Sequence, residues 1–205
     1  QERQGSTYAA GDITYRDGPW AARLSVGALT EPFGPLGSNV ATTGPLALSA
    51  RTGFVTLSAE APLADGVSAY GDVSAGQTRA DGPVLSMRRG YSSAWRLGVT
   101  GECRQLRVAC SRLTFEMSQP LRMESGAFEA RLADQPEHYF DELTFSSRTA
   151  SATPSGRELD VGLFADQDLG GFGMLRIALQ AALQSGHRRD ADPVYGLSAN
   201  WRVRF

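Results

Sequence analysis

The stretch Tyr195-Gly196-Leu197-Ser198-Ala199-Asn200-Trp201-Arg202-Val203-Arg204-Phe205 decides the fold class. Tyr195, Leu197, Ala199, Trp201, Val203 and Phe205 fall on one side, and Gly196, Ser198, Asn200, Arg202 and Arg204 on the other. Period-two alternation sends successive side chains to opposite faces of a strand. One face here is wholly apolar with aromatics at both ends, and the other carries two arginines. A transmembrane β-strand of about 9–11 residues needs this length, a lipid-compatible face and aromatic residues at the two interfaces.

The same pattern recurs along the chain. Trp20, Ala22, Leu24, Val26 and Ala28 oppose Arg23, Ser25 and Gly27; Val55, Leu57 and Ala59 oppose Thr56, Ser58 and Glu60. Val67, Ala69, Val73 and Ala75 oppose Ser68, Tyr70, Asp72 and Ser74, and Trp95, Leu97 and Val99 oppose Arg96 and Thr100. Leu113, Phe115 and Met117 oppose Arg112, Thr114 and Glu116; Phe128, Ala130 and Leu132 oppose Glu129 and Arg131. Leu143 and Phe145 oppose Glu142 and Thr144, and Leu159, Val161, Leu163 and Ala165 oppose Glu158, Asp160 and Asp166. Segment 174–184 fits both a strand and a helix, because Leu175, Leu179 and Leu183 also sit at helical spacing. The tight-turn residues just before it, and the need for a neighbour beside the last strand, favour the strand. With a weaker strand near residues 8–16, eleven are visible. Closed bacterial barrels usually hold an even number, so a further strand lies upstream, hides in residues 33–43, or lacks a visible pattern.

These alternations predict an all-β fold, an antiparallel transmembrane β-barrel of about 12 strands, with residues 1–205 forming one domain. Arg96, Arg112, Glu116, Glu129, Arg131, Glu158, Asp160, Arg176, Arg202 and Arg204 then line the lumen, with Arg23 and Asp72 beside them. An arginine on the lipid face costs about 2–4 kcal/mol at the bilayer midplane, whereas a wet lumen lets opposite charges pair. Periodicity alone leaves open a soluble sandwich whose charged face points outward. Composition agrees with many short strands and turns: 205 residues, 23 glycines, 10 prolines, 41% hydrophobic residues and a net charge of −2. That charge gives no pointer to nucleic acid. No run of eighteen apolar residues occurs, so no membrane helix is expected. No charged and then apolar leader opens the chain, which suggests a processed chain or the C-terminal part of a longer one. Cys103 and Cys110 flank a short polar loop and are expected to form a disulfide in an oxidising compartment, the alternative being two free thiols.

Several local motifs occur in a specific order. They are Met117-Ser118-Gln119-Pro120-Leu121-Arg122-Met123-Glu124-Ser125-Gly126, Pro154-Ser155-Gly156-Arg157-Glu158-Leu159-Asp160, Leu169-Gly170-Gly171 and the closing Trp201-Arg202-Val203-Arg204-Phe205. Together they resemble the C-terminal translocator of autotransporters, most like those carrying subtilisin-type serine protease passengers in Gram-negative bacteria. The similarity is densest over residues 67–205. It implies a twelve-stranded barrel in the bacterial outer membrane that lets an N-terminal passenger reach the cell surface and anchors it there. It further implies that Tyr195, Leu197, Trp201, Val203 and Phe205 form the signal strand read by the barrel-assembly machinery. The implied partners are outer-membrane lipid, that machinery and a cleaved passenger or another outer-membrane protein. The Cys103/Cys110 loop and the lack of a linker helix depart from the family pattern. The alternative function is a stand-alone structural barrel whose plugged lumen binds a membrane partner.

No catalytic set is legible and no cofactor or metal site is expected, so the chain is not expected to be an enzyme. A subtilisin-like triad needs Asp, His and a Ser nucleophile in a strained turn, and neither a G-x-S-x-G nor a Gly-Thr-Ser segment occurs. His138 and His187 are far from the cysteines, and His187 reads as part of a solvated loop. Glu158 and Asp160 would share the lumen face roughly 7 Å apart and pair with Arg176 or Arg202.

Overall fold

The computed structural model describes residues 5–32, 34–36, 44, 47–106, 110–134, 142 and 144–203. Eleven strands form one antiparallel sheet. They are β1 (Thr7–Asp17), β2 (Trp20–Glu31), β3 (Ser49–Ala64), β4 (Val67–Asp81), β5 (Leu85–Glu102), β6 (Arg112–Ser125), β7 (Ala127–Ala133), β8 (Phe145–Ser151), β9 (Leu159–Asp168), β10 (Met174–Leu183) and β11 (Val194–Arg202). Every segment whose alternation predicts a strand holds one among the described residues, β8 beginning at Phe145, while Leu143 and most of residues 33–43 lie outside them. At 174–184 the strand prevails because Leu179 pairs with Leu163 on one side and Leu197 on the other. Two ladders of backbone hydrogen bonds outweigh a helix propensity that is only a weak preference. Among the described residues no helix is long and apolar enough to cross a membrane.

The hydrogen-bonded path runs β1-β2-β3-β4-β5-β6-β9-β10-β11, with β7 and β8 off it. The segments around Phe128 and Phe145 are therefore strands, but they do not cross the sheet as separate staves. β7 continues β6 past Gly126, whose φ of +146° suits glycine, and both run beside β5. β8 leads into β9 through residues 152–158. The two pairs make one long hairpin that overshoots its neighbours, and nine strands form the continuous wall.

Because each step is antiparallel, all turns of one kind gather at one end. Short connections at 17–20, 64–67 and 168–174, with the 103–111 loop, lie at the end where β11 finishes. The long connections at 32–48 and 184–193 and the β7–β8 hairpin lie at the other. At the short-turn end the Cys103–Cys110 disulfide forms as expected, with Cα atoms 5.3 Å apart. β1 and β11 are both free edges, and among the described residues nothing pairs them. A first and a ninth strand in an antiparallel series point the same way.

One face is polar and concave. Cross-strand hydroxyl pairs Thr52–Thr78 (2.8 Å), Thr56–Ser74 (2.7 Å) and Thr100–Thr114 (2.9 Å) tie it together. Toward the long-loop end this face is sealed by a small core of Leu48, Ala50, Ala80 and Met87, against which Leu85, Met123 and Phe128 pack. The opposite face is apolar and bare.

Candidate functional site

Register converts the period-two pattern into continuous rows on the bare face. One row runs Ile13, Leu24, Leu57, Val73 and Trp95 across five strands. Another runs Val99, Phe115, Leu163, Leu179 and Leu197. None of the described residues covers them: Ile13 is 74% exposed and Leu197 also 74%. Among the described residues twenty-nine large hydrophobics are exposed, while six hydrophobic residues are buried. A protein folding in water does the reverse, because uncovered apolar patches beyond a few hundred Å² are rare on monomers. A sandwich would cover this face with a second sheet, and the described residues form only one.

Tyr195, Leu197 and Trp201 lie on this face of β11, opposite Ala181, Leu179 and Leu175, and Trp201 donates its indole N–H to the carbonyl of Phe172 (2.8 Å). Val203 follows just beyond the strand and is exposed. Phe205 and Arg204 lie outside the described residues.

The concave face gathers the charges. Arg96 pairs with Asp72 at 3.0 Å, Arg176 grips Asp166 with two hydrogen bonds of 2.6 and 2.9 Å, and Arg112 stands opposite Asp166 in register. Tyr70 reaches across β5 and donates its hydroxyl to Glu116 (2.6 Å). It can do so because Gly98 leaves its ring room: a Cβ there would sit 2.3 Å from Tyr70 Cζ. Gly27 accommodates Phe54 in the same way, at 2.5 Å. Tyr70, Arg96, Arg112, Glu116, Asp166 and Arg176, with Thr100, Thr114 and Phe164, line a cavity of about 410 Å³. Arg202 shares the face opposite Met174, and Asp160 shares it opposite Ser118. Asp160 Oδ1 is buried without a hydrogen-bond partner among the described residues.

Three sequence-based placements need correction. Glu129 and Arg131 sit on β7, in the overshooting hairpin, where Arg131 lies 5.2 Å from the Phe145 ring, so neither joins the charge cluster. Glu158 precedes β9 and accepts the Gly186 N–H (2.7 Å), and the acid that pairs with Arg176 is Asp166. His187 is no solvated side chain: it is 8% exposed, with a left-handed φ of 56°. Its Nδ1 accepts the Glu158 N–H (2.9 Å), leaving Nε2 to donate to the Leu121 carbonyl (3.0 Å).

Beside His187, the long-loop rim holds a clamp that the sequence reading missed. Glu124 accepts hydrogen bonds from Ser93 (2.6 Å) and Arg157 (2.7 and 2.9 Å) and pairs with Arg122. Arg122 also donates to the carbonyls of Gly156 (2.9 Å) and Pro154 (3.2 Å). Glu124 is the penultimate residue of β6 (Arg112–Ser125), beyond the about 9–11 residues that a spanning strand would take. Burial alone would raise the Glu124 pKa, but the hydrogen bonds from Arg157 and Ser93 and the charge of Arg122 prevail and bring it down to about 2.

No protein-family model, curated protein or solved structure matches this chain. The site is therefore read from its own chemistry. An apolar outer wall, a paired-charge inner wall and a knotted rim can support insertion in a bilayer.

Proposed function

We propose that this chain forms the wall of a bacterial outer-membrane β-barrel that anchors an N-terminal passenger at the cell surface and gives it a route there. The observation that carries the reading is the uncovered apolar face, continuous from β1 to β11 in cross-strand register. Lipid solvates such a face, while the charges pair on the other side, where water can hydrate them. In the bilayer core every backbone polar group needs a partner, so the β1 and β11 edges cannot remain open there. Because those edges point the same way, antiparallel closure takes an odd number of further strands. Three would give the twelve that the translocator resemblance implies. In this reading β11, with Tyr195, Leu197 and Trp201, is the edge the assembly machinery reads, since an exposed strand edge recruits a partner strand, and Val203 and Phe205 complete that signal in the sequence. The chain itself carries no catalysis.

A second reading is favoured by one observation. The buried cluster of Leu48, Ala50, Ala80 and Met87 seals the concave face toward the long-loop end. A sealed interior suits a stand-alone barrel that binds an outer-membrane partner through its loops. The test is cell fractionation of the full precursor, with mobility on gels before and after heating and protease treatment of intact cells. Translocator function predicts a heat-modifiable outer-membrane band and passenger exposed at the surface. A normal membrane band with no passenger favours the second reading. A soluble monomer without detergent sinks both.

A further inference from the structure

Among the described residues, four arginines at the long-loop rim are in no ion pair. Arg51 on β3 stands directly opposite Arg79 on β4. The β4–β5 register then jumps between Thr78↔Gly90 and Ala80↔Met87, so the single residue Arg79 faces two, Arg88 and Arg89. This is a β-bulge, a device that re-aims side chains at sheet rims. Thr78, Ala80, Met87 and Gly90 are buried on the concave side, and all four arginines are exposed. Among the described residues none of the four makes an ion pair or a side-chain hydrogen bond, and Asp81, two residues beyond Arg79, pairs with none of them. Like charges placed directly opposite are destabilising in a sheet, and here the bulge packs in an extra one.

The outward row next to the arginines is Gly53, Gln77 and Tyr91, with Gln77 donating to the Tyr91 hydroxyl (3.1 Å). The rows after that are Val55, Ala75 and Ser93, then Leu57, Val73 and Trp95. Along three adjacent strands the surface thus passes from apolar, through an amphipathic Tyr, to bare guanidinium.

We propose that this rim binds the phosphates of lipid headgroups in the same bilayer that solvates the apolar face. The proposal rests on the membrane reading above. Guanidinium groups match phosphate with two parallel hydrogen bonds and remain charged at the interface. Strands lie about 4.8 Å apart, so the array spans about 10 Å, enough for one headgroup with two phosphates or for two neighbouring headgroups. Lipid headgroups are the anions held at the height of the Tyr91 row.

The test is to insert the full chain into vesicles of phosphatidylcholine, and of phosphatidylcholine with one-quarter phosphatidylglycerol. Bound lipid is then counted by native mass spectrometry after detergent release. Wild type is expected to retain phosphatidylglycerol over phosphatidylcholine. Each interfacial arginine is worth about 1 kcal/mol, about fivefold, so Arg79→Gln/Arg88→Gln should lower retention about 25-fold while insertion stays normal. Equal retention by wild type and variant, with both heat-modifiable in phosphatidylcholine, overturns the proposal and leaves the membrane reading standing. Displacement of the lipid by millimolar inorganic phosphate also overturns it, because the site would then take soluble anions. Failure to insert into either vesicle overturns the membrane reading, and this proposal with it.

Discussion

Gly98→Ala tests whether the inner wall is built around the Tyr70 ring. An alanine Cβ would sit 2.3 Å from Tyr70 Cζ and 2.5 Å from its hydroxyl oxygen, so the ring must move. Moving it breaks the 2.6 Å hydrogen bond to Glu116. Because the obstacle is the free end of a side chain, overpacking costs about 1 kcal/mol, the low end of its range. A hydrogen bond to a charged group contributes about 2 kcal/mol. Replacing a strand glycine returns about 0.4–1 kcal/mol by restricting the unfolded chain. The net expected loss is about 2 kcal/mol. In a Tyr70→Ala background the clash and the bond are both gone, so Gly98→Ala should be neutral or stabilising. Urea titration of protein refolded in detergent, followed by gel mobility and tryptophan fluorescence, measures both steps of this double-mutant cycle. An equal loss in the two backgrounds would refute the reasoning, since the cost would then lie in the backbone rather than in the ring.

Asp166→Asn should cost about 1.5 kcal/mol, because it weakens two charge-assisted hydrogen bonds to Arg176, whose own side chain is 56% exposed and stays hydrated. Adding Arg176→Gln should recover most of that loss in the same titration. Glu124 holds its charge down to about pH 2 in the folded chain but protonates near 4.5 when unfolded. Its contribution is therefore complete above pH 4.5, falls as pH drops toward 2, and amounts to at most about 3 kcal/mol. Glu124→Gln should flatten that part of the stability profile, and an unchanged acid limb would count against the clamp. Breaking the Cys103–Cys110 bond should cost about 2.5 kcal/mol by loop entropy and leave the sheet folded. Thiol alkylation with mass spectrometry checks the bond itself, and both cysteines labelled in native protein would remove it.

Alternation made all eleven strands legible, because a half-buried strand writes its face directly into the sequence. It could not give register, which is set by turns and pairing rather than by period. That is why Arg176 was matched to Glu158 or Asp160 instead of Asp166, which stands opposite it. Phase was lost as well at Gly126, where one glycine turns β6 into β7 and carries Glu129 and Arg131 away from the concave face. His187 looked solvated because its burial depends on two loops far apart in sequence converging on Leu121. The arginine bulge breaks the period-two pattern of β5, with Arg88 and Arg89 both exposed between buried Met87 and Gly90, but its place beside Arg79 emerges only from the offset between the two strands.

The path of the sheet also bears on how fast the wall can form. Nearly every pairing joins strands consecutive in the chain, and β6–β9 departs only to let the long hairpin out. Sequence-local contacts of this kind allow hairpins to zip one after another, the regime in which folding is quick. In the proposed barrel, joining the β1 and β11 edges through the further strands is the exception. It spans a loop roughly twentyfold longer than a single hairpin's, an added entropic cost of about 2.7 kcal/mol. The slow step should therefore come last, with an almost complete wall waiting on its two free edges.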